Sequence, residues 1–279
     1  MKISVVSGKG GTGKTYFSTS LAMSLENADY FDLDVEEPNG FIFIKPEIIE
    51  EIKFSLPVPE IDESRCTFCN KCAESCSHNA ISILPQLKKT LFFPELCHSC
   101  GVCSFVCPVD KALIEVEKNI GIIRKGKFSK GNFVEGRLNI GEPSGVPLIS
   151  GIIQNHLDPD RTTIIDSPPG TSCPVIESVK EADYIIIVTE PTPFGLSDMK
   201  LVVEIVKNLG KKAGVVINKD RRDSRITEEF LRKSGIPIIF RIPYSLEIQR
   251  SYSKGIPLIK TVHGIELKLK KLYEDISNV

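Results

Sequence analysis

Residues 2–15 read KISVVSGKGGTGKT. Ile3, Val5 and Val6 form a short apolar strand, the glycines interrupt it, and a helix starts at Lys14 and Thr15. Gly8, Gly13, Lys14 and Thr15 satisfy G-x-x-x-x-G-K-[ST], the phosphate-binding loop, in the strand–loop–helix setting that motif requires. The backbone from Gly8 through Gly10, Gly11, Thr12 and Gly13 can curl so that successive N–H groups face one concavity. The helix N-terminus adds partial positive charge, Lys14 neutralises the terminal phosphates, and the Thr15 hydroxyl is placed to ligate Mg²⁺. The stretch predicts binding of a nucleoside triphosphate.

The chain has 279 residues, a formal charge of −1 and nine cysteines. That length accommodates one large domain or two ordinary ones around a substantial core. The balance of acids and bases argues against a dedicated nucleic-acid surface, so no nucleic-acid partner is expected. No run approaches the ~18 consecutive apolar residues of a membrane span. The apolar segment at the N-terminus is too short for a signal peptide. The chain is read as cytoplasmic, where metal binding explains many cysteines better than disulfides do.

Outward from the loop, residues 14–27 read as a helix with Phe17, Leu21 and Leu25 facing a sheet. Residues 29–35 (DYFDLDV) read as the next strand, ending at Pro38-Asn39-Gly40. Residues 41–60, with Pro46, Pro57 and Pro59, read as extended chain leading to a domain boundary. Residues 122–147 read as a loop-rich return, and 147–157 as a helix. From Arg161 a regular alternation begins. Strands at Thr162–Asp166, Tyr184–Thr189, Ala213–Asn218 and Ile236–Ile242 are apolar on both faces, as a parallel sheet covered by helices requires. Helices at 174–182, 196–209 and 226–234 fill the gaps, the last two ending at Gly210 and Gly235. The pattern predicts a doubly wound, mostly parallel α/β sheet with helices on both faces. At the C-terminus, IELKLKKLYEDI predicts a helix with Ile265, Leu269, Leu272 and Ile276 on one side, packed on the domain rather than on a membrane.

Several acids belong with the loop. Asp166 ends an apolar strand in TIIDSPPG, where a carboxylate orients Mg²⁺ through its waters as a Walker B acid does. Gly170, after two prolines, sits in a stiff turn suited to aiming a backbone N–H at the γ-phosphate. Asp32 and Asp34 end the preceding strand and are candidates to position water or metal, Asp34 the stronger of the two.

Residues 61–117 have a different character. ESRCTFCNKCAESCSHNAISIL is echoed by PELCHSCGVCSFVCPVDKALIEV. Cys66, Cys69, Cys72 and Cys76 recur at the spacing of Cys97, Cys100, Cys103 and Cys107. Each half is C-x₂-C-x₂-C-x₃-C, the run of bacterial two-cluster ferredoxins, in which the fourth thiolate serves the other cluster. By that rule Cys66, Cys69, Cys72 and Cys107 hold one [4Fe–4S] cluster, and Cys97, Cys100, Cys103 and Cys76 hold a second. Pro108 follows Cys107 as expected, whereas Ser77 follows Cys76. Structural zinc, the rival, prefers C-x₂-C pairs separated by a longer loop. His78 and His98 read as surface residues beside completed quartets. Cys173, the ninth cysteine, reads as a small packing residue, with a ligand shared across a dimer as the alternative.

With Lys9 inside GKGGTGKT, the loop resembles the deviant Walker A signature of the MinD/Mrp/ParA ATPases, the class that includes the nitrogenase iron protein. The resemblance extends over DLDVEEPN, IIDSPPGTSCP, VTEPTPFGLSD and VVINK. With the cysteine repeat, the chain is similar to members of that class carrying an inserted ferredoxin domain. The resemblance implies an ATPase domain over 1–60 and 118–279, a ferredoxin-like α+β insert over 61–117, and an ATP-dependent homodimer. In that dimer Lys9 reaches the partner's phosphates. It also implies that Asn218 reads the base. Because Arg221 stands where the guanine motif N-K-x-D needs Asp, adenine is favoured. Pro243 and Tyr244, after the last strand, are candidate walls for the base.

The expected function is Mg²⁺-dependent ATP binding and hydrolysis, a dimer switch that gates electron transfer through two [4Fe–4S] clusters. The partner would be an unidentified redox or iron–sulfur protein, a related ATPase among the candidates. One alternative is a MinD- or ParA-like organising ATPase with structural or sensory clusters. A third is an iron–sulfur carrier of the Mrp type, although no cysteine follows Cys173 to form that group's C-terminal C-x-x-C.

Overall fold

The computed structural model describes residues 1–129, 131–221 and 224–278. In chain order the strands are β1 (Lys2–Val6), β2 (Ala28–Asp32), β3 (Glu47–Ile61), β4 (Ile81–Leu84), β5 (Lys89–Phe92), β6 (Leu113–Phe128), β7 (Gly131–Leu138), β8 (Thr162–Asp166), β9 (Tyr184–Thr189), β10 (Lys212–Asp220) and β11 (Ile238–Pro243). The main sheet has the order β11-β10-β9-β1-β8-β2-β7-β6-β3, and every neighbouring pair from β11 to β7 is parallel.

Both faces of this sheet are covered. Along β9, Ile186 and Val188 fall in one buried cluster with Phe17, Leu21 and Leu269, while Ile185 and Ile187 fall in another with Val202, Val203 and Val206. Side chains alternate across a strand, so an all-apolar strand must feed two cores at once. The helix Lys14–Ser24 supplies the first core and the helix Pro193–Asn208 the second. The C-terminal helix Ile265–Ser277 buries Ile265, Leu269, Leu272 and Ile276 in the first core, the face its spacing predicts. Among the described residues no helix is long and apolar enough to cross a membrane.

The chain divides into two compact units. One comprises Met1–Ile52, Ile123–Arg137 and Gly145–Val279, the other Lys53–Ile122 and Leu138–Ser144. The second is wider than the 61–117 expected, because β3 and β6 run past the cysteine repeat on both sides. It contains the antiparallel pair β4–β5, with Ile81 opposite Phe92, and two short helices, Lys71–Glu74 and Val102–Val106, inside the cysteine runs.

Two readings need correction. The segment 41–60 is not merely extended chain: Gly40–Ile44 is helical and Glu47–Ile61 is a strand. The segment 122–147 is not loop-rich: it holds the end of β6 and all of β7, apart from Lys130, which lies outside the described residues. Its glycines misled because they serve backbone proximity rather than turns. A Cβ at Gly131 would lie 1.8 Å from the Ala28 carbonyl oxygen, and one at Gly126 would lie 2.5 Å from that of Glu47.

Candidate functional site

The phosphate loop sits at the C-terminal edge of β1, where open α/β sheets place their ligands. Gly11 and Gly13 have φ of +78° and +91°, values that favour glycine. A Cβ at Gly8 would lie 2.6 Å from the Asp198 backbone, so the loop lies directly against the helix Pro193–Asn208. A Cβ at Gly13 would strike the Asn218 amide nitrogen.

Lys14 opens the helix and is buried. Its Nζ donates to Asp166 Oδ1 at 2.9 Å and lies 3.6 Å from Asp34 Oδ2. Burial by itself lowers the Lys14 pKa, but the charges of Asp166, Asp34 and Asp32 outweigh it and hold the ammonium above its ordinary value. Burial pushes Asp34 up to about 6 against the pull of Lys14. Two carboxylates, Asp34 and Asp166, thus meet one cation.

The structure divides the two acids of β2's end by role. Asp34 faces Lys14. Asp32 is fully buried and accepts from the backbone N–H groups of Asp34, Asn39 and Gly40 at 3.2, 3.1 and 2.8 Å. It therefore shapes the loop leaving β2 and has no exposed face for water or metal. Burial, with the nearby Asp166 charge, raises its pKa well above the carboxylate range.

Gly170 takes φ +93°, and its N–H donates to the Ser7 carbonyl at 2.8 Å. The turn after β8 is therefore tied to the phosphate loop rather than aimed at a γ-phosphate. Lys9 sits half-buried in the loop, with its carbonyl accepting from Ser7 Oγ at 2.9 Å. The Thr15 carbonyl accepts from Ser18 and Thr19 hydroxyls, leaving its side chain half-buried at the helix start. The Thr12 and Ser167 hydroxyls are buried with no partner among the described residues. Such orphans at a phosphate loop are donors in want of an acceptor.

Beside the loop lies a cavity lined by Gly11, Gly13, Tyr16, Asn218, Pro243 and Tyr244, among others. It brings together three of the residues proposed from sequence to meet the base. Asn218, however, is already engaged: its Nδ2 donates to the Thr12 carbonyl at 2.7 Å and its Oδ1 accepts from the Lys219 N–H at 2.8 Å. It clamps the loop, with one amide hydrogen left for a ligand. The Arg221 guanidinium stacks on Tyr244, 3.9 Å from the ring centroid.

Sequence reasoning missed two residues here. Lys219 Nζ donates to the Gly11 carbonyl at 3.3 Å and pairs with Glu190, bracing the loop from β10 and from the turn after β9. Only the lysine after Asn218 hinted at this. Tyr30, in the middle of the buried strand β2, gave no hint. Its buried hydroxyl reaches Asp166 Oδ2 at 3.1 Å. Burial, with the charges of Asp166 and Asp32, raises this phenol's pKa well above its ordinary value.

In the second unit all eight repeat cysteines are free thiols, as is Cys173 in the first. Cys66, Cys69, Cys72 and Cys107 line one cavity with Ile61, Ile83 and Leu113. Backbone N–H groups of Phe68, Ala80 and Ser99 point at the sulfurs of Cys66, Cys76 and Cys97, at 3.3, 3.3 and 3.4 Å. No group of three or more His, Cys, Asp or Glu among the described residues is arranged to hold a metal ion. The His78 and His98 rings stack at 3.7 Å between centroids, a pairing the repeat does not predict.

Comparison with known proteins agrees with this geometry. Residues 3–258 match the family described as CobQ/CobB/MinD/ParA nucleotide binding domain. An uncharacterized protein of Methanocaldococcus jannaschii is 30% identical over 272 residues, 93% of this chain and 92% of the relative. An uncharacterized ATP-binding protein of the same organism is 25% identical over 282 residues, 100% of this chain and 96% of the relative. The septum site-determining protein MinD of Pyrococcus horikoshii, solved with Mg-ADP, superposes with a TM-score of 0.58 at 18% identity, over 99% of this chain and 95% of that one. Phosphate loop, parallel sheet and family match agree, and the chain belongs to the CobQ/CobB/MinD/ParA family of nucleotide-binding domains.

Proposed function

We propose that this protein is a Mg²⁺-dependent ATPase that dimerises on ATP and couples its nucleotide cycle to electron transfer with a protein partner through two [4Fe–4S] clusters. The observation that carries the ATPase half is the buried cluster of Lys14, Asp34 and Asp166 at the phosphate loop. With Lys14 paired to a triphosphate, Asp166 Oδ1 would be free to help hold Mg²⁺, Thr15 would be its side-chain ligand, and the ion would supply charge neutralisation at the phosphates. Asp34 is then in position to steer the attacking water. The orphaned Thr12 hydroxyl and the Mg-ADP bound by the P. horikoshii protein support nucleotide and metal at this site. Arg221, where the guanine motif N-K-x-D needs Asp, favours adenine as the base, and Asn218, Pro243 and Tyr244 line the cavity that would take it. Lys9, half-buried at the loop's rim, would supply a second cation to the partner's phosphates.

For the clusters, the donor chemistry of the cysteine set fits. Eight thiols stand in two matched quartets, none is consumed in a disulfide, and Cys107 joins Cys66, Cys69 and Cys72 around one cavity despite its distance in sequence. Backbone N–H groups already aimed at three of the sulfurs are the kind of hydrogen bond that tunes such centres. When bound, the clusters would supply one-electron chemistry.

The test is electron paramagnetic resonance of anaerobically purified, dithionite-reduced protein, with iron and sulfide analysis, with and without MgATP. Two coupled cluster signals that change with MgATP are expected. Zinc in place of iron, or signals blind to nucleotide, would remove the electron-transfer half while leaving the ATPase half standing.

A further inference from the structure

Tyr30 is a fully buried phenol in the centre of the sheet, and nothing in the phosphate-loop motif calls for it. Its hydroxyl has two partners, Asp166 Oδ2 at 3.1 Å and Ser18 Oγ at 3.3 Å. The phenol's single proton goes to Asp166. Asp166 therefore spends its two oxygens on different partners: Oδ2 on Tyr30, Oδ1 on Lys14.

The ring is held as firmly as the hydroxyl. It stacks on Phe133 of β7, with centroids 5.9 Å apart and planes 14° from parallel. Gly40, whose N–H caps Asp32, also lies close to it, and a Cβ at that position would lie 2.6 Å from Tyr30 Cε1. Ser18, on the helix that begins at Lys14, donates to the Thr15 carbonyl at 3.1 Å. One side chain thus touches the strand-end acid, the helix that carries Thr15 and the loop that descends from Asp34.

We infer that Tyr30 is a positioning residue for the metal: by holding Asp166 Oδ2 it presents Oδ1 to the Mg²⁺ shell once a triphosphate has taken Lys14. The inference rests on the Mg²⁺-ATP reading of the site and assigns a role within it. Outer-shell partners of this kind orient a carboxylate without touching the ion, and their loss weakens metal binding rather than ligand binding. A carboxylate freed at Oδ2 can rotate, dividing its time between orientations of which only one meets the metal.

The experiment titrates MgCl₂ into the intact, anaerobically prepared protein while a fluorescent N-methylanthraniloyl-ATP reports binding and phosphate release reports turnover. Tyr30→Phe preserves the ring, its volume and the Phe133 stack. It is expected to raise the Mg²⁺ midpoint about tenfold, while the affinity for the probe in EDTA stays within about twofold. Ser18→Ala, which removes the hydroxyl's other partner, is expected to leave the midpoint within about twofold. An unshifted midpoint in Tyr30→Phe overturns the inference, as does an equal loss of affinity in EDTA. A Ser18→Ala shift as large as that of Tyr30→Phe also overturns it, because the network would then act through packing. A Tyr30→Phe chain that does not fold overturns it too, since the phenol would then serve the core. Failure of the wild type to bind the probe under any condition is a different result, the failure of the nucleotide reading itself.

Discussion

Asp34 permits a prediction whose sign and size both follow from its surroundings. Its side chain is 15% exposed, and burial lifts its pKa to about 6 despite Lys14 only 3.6 Å away. The folded protein therefore holds a proton at Asp34 more tightly than the unfolded chain, whose Asp titrates near 3.9. A raised carboxylate pKa means that ionisation opposes folding. Below about pH 4 both states are protonated and there is no penalty; between pH 4 and about 6 stability falls, and above that window the loss is complete. Two units at about 1.4 kcal/mol each make the full penalty roughly 3 kcal/mol. Asp34→Asn removes it, because the amide is neutral at every pH and Lys14 keeps its bond to Asp166. The measurement is thermal unfolding of nucleotide-free wild type and variant from pH 4.5 to 7.5. The variant's advantage should be small at pH 4.5 and grow to a plateau by pH 7. For a chain of this size the plateau corresponds to roughly 5 °C in Tm. Taking the difference between the two proteins cancels the titration of groups far from the site. A difference that is flat with pH, or that favours wild type at pH 7, would refute the claim that burial outweighs Lys14 at this carboxylate. The same substitution should impair turnover if Asp34 steers the attacking water, an instance of stability exchanged for function.

Two further outcomes follow. Lys219→Ala releases both the Gly11 carbonyl and Glu190, so the phosphate loop loses its brace from β10; ATP affinity by isothermal titration should fall about tenfold, with the sheet's far-ultraviolet dichroism unchanged. Cys107→Ser removes one thiolate from the cavity shared with Cys66, Cys69 and Cys72. Iron content of the anaerobically purified protein should then fall from about eight atoms per chain towards four, the reduced signal becoming that of an isolated cluster.

How legible the protein is from sequence differs from one element to the next. β8 and β9 are apolar on both faces and bounded by turn residues, and their limits coincide with those expected. The C-terminal helix is legible for the same reason, since its apolar side chains recur at the helical period. β7 was not legible. GNFVEGRL carries one glycine at its start and one in its interior, and the local code reads them as breaks. They are there because Gly131 and Gly136 must let the backbone of β2 and the side chains of Ile152 and Val35 come close. Close approach of distant segments leaves no periodic trace in the segment itself.

The site divides along the same line. The spacing of Gly8, Gly13, Lys14 and Thr15, and of two cysteine quartets, was sufficient by itself to predict a phosphate loop and a repeated thiol set, because each depends on residues within one turn or one loop. Which carboxylate meets Lys14, and which merely ties the backbone, was decided only by tertiary structure: Asp32 and Asp34 are two residues apart, yet one is wrapped by three N–H groups and the other faces the cation. Asn218 and Lys219 gripping the loop, and Tyr30 holding Asp166 across 136 residues of chain, belong to the same class. A motif states what a loop can bind. The orientation of each donor around it depends on hydrogen bonds that exist only after the sheet has set β8 and β9 beside β1, with β2 and β10 one strand further out.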